Sequence, residues 1–261
     1  MAGLRTKTPS GTFGDLLKVE NSNSGVDDTS RQVESGDGTG SALYIEKNSV
    51  KIQPTVDDVG ALLVKDKDGN RVFGVDTSND LITVVGHYAN TQYAHFGIGS
   101  GDSVWAGAAA GTHYAVPFNG MAVQALVSGS TGTDPVTSYT IATTGDSLAG
   151  CLWYVIDDIT LDSIVWWHGG DAGTGEVIRA HLVQYDIVIS SGATSGDLSS
   201  GTVVASGADI TNAGYEQAYY QTISPSTANI DSGKALLFFF RADSTVNSDY
   251  TINATVKYHL R

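Results

Sequence analysis

The 261-residue chain carries 28 Asp and Glu against 14 Lys and Arg, a net charge of −14, and an acidic surface repels a phosphate backbone, so direct nucleic-acid binding is not expected. Its most apolar run, Ala235–Phe240, is far too short to cross a bilayer, so no membrane role is expected either. Glycine is abundant while Lys, Glu and Arg are scarce, which predicts many short strands joined by tight turns, and the length suffices for one large β domain or a domain with a smaller stem.

Residues 1–40 are poor in apolar side chains and rich in Gly, Ser, Thr and Asp. They cannot bury enough surface to fold alone, and an extended arm that orders on a larger partner is expected. The first eleven residues carry Arg5 and Lys7 and no acid, a charge balance that suits an acidic surface or an ordinary soluble tail. The N-terminus has no apolar stretch of secretory-signal type, so synthesis in a cytosol without export by the standard route is expected.

Residues 41–53 and 60–76 read as two hairpin units. In the first, Leu43 and Ile45 are expected on one face and Val50 and Ile52 on another, with Lys47-Asn48-Ser49 between them. In the second, Leu62 and Val64 alternate, Asp68-Gly69 supplies a turn, and Val72 begins the return strand toward Phe73 and Val75. A third strand over Asp80–Val85 contributes Leu81. The units repeat weakly: Ala42-Leu43 and Ile45 match Ala61-Leu62 and Val64 nineteen residues on. Each unit is too small to bury its own apolar face, so residues 41–86 are expected to form an intertwined, trimerising β stem.

Residues 87–115, aromatic and glycine-rich, read as a connector, in which Ala106–Ala110 has room for one helical turn at most. Residues 116–261 carry candidate strands at Met121–Val127, Ser138–Ile141, Leu152–Ile156, Ile159–Trp167, Val177–Ile189, Thr202–Ala205, Ala218–Ile223, Lys234–Arg241 and Tyr250–Tyr258. Gly/Ser/Asp clusters such as Ser190–Gly196 and Asp243–Asp249 separate them. The expected fold class is therefore all-β, with an extended arm, a short intertwined stem and a C-terminal jelly-roll-like β-sandwich. In the last strand Ile252, Ala254, Val256 and Tyr258 should face one way. Cys151, the only cysteine, excludes an intrachain disulfide and is expected to be a small buried hydrophobe.

Motifs that would carry chemistry are weak. Asp66-Lys67-Asp68-Gly69-Asn70 has calcium-loop composition, but its glycine comes too early and Val75 stands where a closing Glu belongs, so a hairpin turn is expected. Asp157-Asp158 with Asp162 reads as an exposed turn rather than a catalytic carboxylate pair. His87, His95, His113, His168, His181 and His259 show no metal-ligand spacing, although His87 and His95 would each be present three times around a three-fold axis. Gly97-Ile98-Gly99-Ser100-Gly101 lacks the rest of a phosphate loop. No enzyme activity, cofactor or metal is expected. The adjacent pairs Trp166-Trp167 and Tyr219-Tyr220 lie on candidate strands, so one ring of each pair is expected in the core and the other outside. An outward ring serves a sugar or a subunit interface, and the interface is the favoured expectation.

The stretches GDLLKVENSNSGVDDTSRQVESGDGTGSALYIEKNSVKI and GALLVKDKDGNRVFGVDTSNDLITVVG resemble N-terminal modules of tailed-bacteriophage virion proteins, over roughly residues 12–86. Such modules occur in capsid decoration or cement proteins, head fibres and tail fibres. The resemblance implies a virion protein on the capsid surface, assembled in the host cytoplasm. Its partners would be its own copies in a homotrimer and the major capsid protein or another virion protein. The N-terminal residues Leu4, Arg5, Lys7, Phe13, Leu16 and Leu17 would make the attachment. The alternatives are a short tail fibre or adaptor whose knob binds a host receptor such as a surface glycan, and a carbohydrate-binding module.

Overall fold

In a computed structural model, residues 17–21, 24–85, 87–98, 109–120, 128–140, 148–170, 175–189, 192, 195–214, 217–243 and 250–261 are described. The fold is all-β, and every strand pair is antiparallel. The chain divides into two compact units, residues 1–89 and 90–261.

The first unit holds two four-stranded meanders. One is built from β1 (Leu17–Val19), β2 (Arg31–Ser35), β3 (Gly40–Glu46) and β4 (Ser49–Ile52), in that order. The expectation of an extended arm over residues 1–40 is corrected here. Val19 pairs with Val33 and Arg31 with Ile45, so that segment supplies β1, β2 and the start of β3 to a sheet, with turns between them. Polar side chains rather than apolar ones organise it. Asp27 accepts hydrogen bonds from the Arg31 guanidinium at 3.0 and 3.3 Å and from the Thr29 backbone N–H at 3.0 Å, and these hold its carboxyl below the usual range. Low apolar content was therefore a poor guide to disorder.

The second meander is β5 (Leu62–Lys65), β6 (Arg71–Asp76), β7 (Leu81–Val84) and β8 (His87–Tyr88). Its first turn is the Asp-Gly turn the sequence predicts. Asp66 accepts from the backbone N–H groups of Asp68 and Asn70, each at 2.9 Å, and Gly69 takes φ +86°, where a Cβ would be strained.

The second unit is a sandwich of two sheets. Its remaining strands are β9 (Thr91–Ile98), β10 (Thr112–Ala115), β11 (Ser128–Thr131), β12 (Trp153–Tyr154), β13 (Ile159–Gly170), β14 (Val177–Ile187), β15 (Leu198–Ser206), β16 (Ile210–Thr211), β17 (Gln217–Ile223), β18 (Asn229–Ile230), β19 (Lys234–Ala242) and β20 (Tyr250–Leu260). One sheet runs β11-β10-β19-β14-β15 with β12 and β16 attached; the other runs β17-β13-β20-β9 with β18 attached. Phe96 and Trp166 of the second sheet meet Phe238 of the first at ring separations of 5.8 and 6.4 Å. Ile252, Ala254 and Val256 are buried in the same core and Tyr258 packs against it, as their alternation predicts.

The connector reading of residues 87–115 is also corrected. β9 pairs along its whole length with Ile252–His259 of β20, and β10 pairs with β19, so both belong to the sandwich. β19 explains the most apolar run of the chain, because Leu236, Phe238 and Phe240 enter the sandwich core while Ala235, Leu237 and Phe239 enter a second core on the sheet's other face. Cys151 belongs to that second core with Tyr139 and Leu148, and burial pushes its thiol up to about 12. The candidate strand Met121–Val127, most of Ala106–Ala110 and most of the turn Asp243–Asp249 lie outside the described residues. Of Ser138–Ile141 only a bridge between Tyr139 and Leu198 is seen.

Candidate functional site

Two surfaces gather the side chains singled out from the sequence, one in each unit. In the first unit the cross-strand register decides which apolar residues meet. Leu43 lies opposite Ile52 and Ile45 opposite Val50. Directly opposed residues share a face, so these four form one patch rather than two, which corrects the expectation for the hairpin. Tyr44 and Lys51 take the other face, with the ammonium 4.3 Å from the ring centroid.

In the second meander Leu62 faces Val75, Val64 faces Phe73, and β7 continues the rows with Ile82 opposite Val75 and Val84 opposite Phe73. Six apolar side chains thus cover one face. Ile82 and Val84 are additions to the expected set, since they join this face only through their register with Val75 and Phe73. Leu81 was assigned to this set and is not part of it. It lies opposite Asp76, on the other face with Leu63 and the buried Thr83.

Among the described residues, these faces are largely open. Among the described residues of the first unit, Val33 is the one buried hydrophobic side chain. Val50 is 67% exposed and Val64 50%, and Ile52, Leu62, Ile82 and Val84 are also exposed. Of the attachment residues, Leu17 starts β1, exposed and opposite Ser35, while Leu4, Arg5, Lys7, Phe13 and Leu16 lie outside the described residues.

In the second unit, strand alternation separates the two aromatic pairs. Trp166 is fully buried, and its indole N–H donates to Gln221 Oε1 at 3.4 Å. Tyr219 stacks on the buried His168 at 5.2 Å, accepts the Ala213 N–H and donates to Gln217 Oε1, both at 2.6 Å. Neither ring is a free surface group, and burial holds the His168 imidazole below its usual range.

Trp167 and Tyr220 are cross-strand partners on the outer face, 48% and 65% exposed. Their rings stack at 5.0 Å with planes 28° apart. A bulge between Leu161 and Ser163 makes this possible: it shifts the alternation by one, so Leu161, Ile164 and Trp166 all point inward and Trp167 outward. Beside Trp167 on the same row lie Asn253 and then Gly97. The next row holds Thr222, Val165, Thr255 and His95, with His95 Nδ1 3.2 Å from Thr255 Oγ1. The row beyond Trp167 holds Ala218, Gly169 and Thr251.

The acidic candidates are engaged separately. Asp158 accepts the Ser232 N–H at 2.8 Å, which holds its carboxyl low, and Asp162, at the bulge, accepts from His259 Nδ1 at 2.9 Å. Among the described residues no three His, Cys, Asp or Glu side chains are placed to hold a metal ion. No protein-family model and no curated protein matches the chain.

Proposed function

We propose that this chain is a non-enzymatic structural protein of a tailed-bacteriophage particle. It acts as a homotrimeric decoration, cement or head-fibre protein, attached to the capsid surface through the residues ahead of Leu17. The observation that carries this reading is the apolar face of β5, β6 and β7, on which Leu62, Val64, Ile82 and Val84 are exposed among the described residues. A meander of this size is marginal in water unless that face is buried. Identical copies supply a matching face at the same register, and three of them close a core around an axis. The likeness of residues 12–86 to virion modules supports the particle as the setting.

The mechanism is binding alone. Three attachment segments on one trimer engage a repeating shell together, so each contact is weak and the set is strong. The exposed Trp167–Tyr220 pair favours one other reading, a short tail fibre or adaptor whose second unit touches a host receptor.

Sedimentation of the full chain tests the trimer, with three times the 27.3 kDa chain mass expected and a stable monomer at micromolar concentration counting against it. Removing residues 1–16 should leave the trimer intact and abolish incorporation into capsids. Continued decoration by the shortened chain would refute the attachment role.

A further inference from the structure

We infer that the outer face of the β17-β13-β20-β9 sheet binds a neutral sugar, a pyranose ring stacked on the Trp167–Tyr220 pair. This inference uses the second unit alone and does not depend on how the chain joins a particle. Each ring spends one side on its neighbour, and the exposure of both leaves apolar ring surface open to solvent. The C–H face of a pyranose is the apolar surface that fits an electron-rich aromatic ring.

The surroundings suit the rest of such a ligand. Opposite Trp167, the exposed Asn253 presents an amide with both donors and an acceptor. Beyond Asn253 the row ends at Gly97, where an added Cβ would meet the Ile252 carbonyl oxygen at 3.4 Å and the Asn253 amide nitrogen at 3.9 Å. Gly169, two residues along β13 from Trp167 on the same face, likewise carries no side chain, and an added Cβ there would meet nothing closer than 3.8 Å, so the floor beside the indole is low.

Charge narrows the ligand class. The chain has a net charge of −14, yet the rows of Trp167, Val165 and Gly169 contain no carboxylate, ammonium or guanidinium. The nearest cation on this face, Lys257, lies two rows from Trp167, beyond Val165 and opposite the exposed Tyr93, so a charged sugar on the ring pair would find no countercharge within those three rows. A protein partner would call for a continuous apolar centre, whereas Thr222, Thr255, Thr251, Asn253 and His95 interrupt the apolar Val165 and Ala218 around the pair.

The test is native affinity electrophoresis of the full-length protein through gels containing dextran, a β-1,3-glucan or a mannan, with alginate as the acidic counterpart. At least one neutral polysaccharide should retard the chain. Trp167→Ala and Tyr220→Ala should each weaken that retardation by roughly tenfold. Tyr154→Ala, an exposed aromatic on the other sheet, should leave it unchanged. Circular dichroism checks folding, and if Trp167→Ala does not fold, the edge-strand variant Tyr220→Ala decides. The proposal falls if no neutral polysaccharide retards the chain, if only alginate does, or if the variants run like the parent. It also falls if Trp167→Ala lowers the sedimenting mass, since the face would then be a contact between copies.

Discussion

His181 is buried on β14 with both ring nitrogens lacking a hydrogen-bond partner. The His113 ring lies 5.1 Å away, and Arg179 and Arg241 lie on the same face of the sheet. Each arginine has an acid of its own, Asp209 at 2.7 Å and Asp243 at 2.5 Å. Burial first, and then the positive neighbours His113, Arg179 and Arg241, push the His181 imidazole down to about 4, with only Asp209 opposing. The native site therefore refuses a proton that the unfolded chain accepts below about pH 6.5. Stability from this residue is full above that pH, is lost as the pH falls toward 4, and levels off below. The interval is worth roughly 3 kcal/mol. Urea unfolding at pH 7 and pH 4.5 should show that loss, and His181→Met should remove most of it. The buried His168 acts in the same direction and leaves a smaller slope in the variant. An unchanged slope in His181→Met would show that the acid sensitivity lies elsewhere.

At the scale of the element, the shared face of β5, β6 and β7 makes the proposed trimer depend on strand parity. Val64 sits in that face opposite Phe73, whereas Leu63, its neighbour in the chain, lies on the other face opposite Gly74 and is also exposed. Val64→Asp should dissociate the trimer. Each copy loses about 1–2 kcal/mol of apolar burial and must desolvate a carboxylate beside two like charges. Leu63→Asp should leave the sedimenting mass unchanged. Equal effects from the two would remove the face assignment. The hairpins behind this argument were legible in the sequence, because Leu62, Val64, Phe73 and Val75 alternate around an Asp-Gly turn. What was not legible is pairing. Ile82 and Val84 join the face only through their register with Val75 and Phe73, and Leu81 leaves it for the same reason. β9 escaped because polar Gln92 and His95 and Gly97 dilute an alternation whose inward members, Ala94, Phe96 and Ile98, are clear only once β20 lies alongside. The aromatic pairs were legible as pairs, and parity correctly made one ring of each outward. The register of β13 with β17 then identified those two as neighbours.

At the scale of the whole molecule, the two compact units differ in where their apolar surface goes. Residues 90–261 bury Phe96, Trp166, Phe238 and Phe240 in one core and Tyr185, Leu237 and Phe239 in another, all within the chain. Both cores are built, among the described residues, from residues 90–261. A fragment of residues 90–261 should therefore unfold cooperatively with a midpoint independent of protein concentration. In the proposed trimer a fragment of residues 1–89 gains its burial between copies, so its stability should follow mass action. For a trimer, raising the concentration tenfold should add about 1 kcal/mol per chain and raise the melting temperature measurably. Thermal unfolding of both fragments across a hundredfold range of concentration separates the cases. A concentration-independent transition in residues 1–89 would mean that this unit is stable alone, and the exposed face of β5, β6 and β7 would then need another explanation.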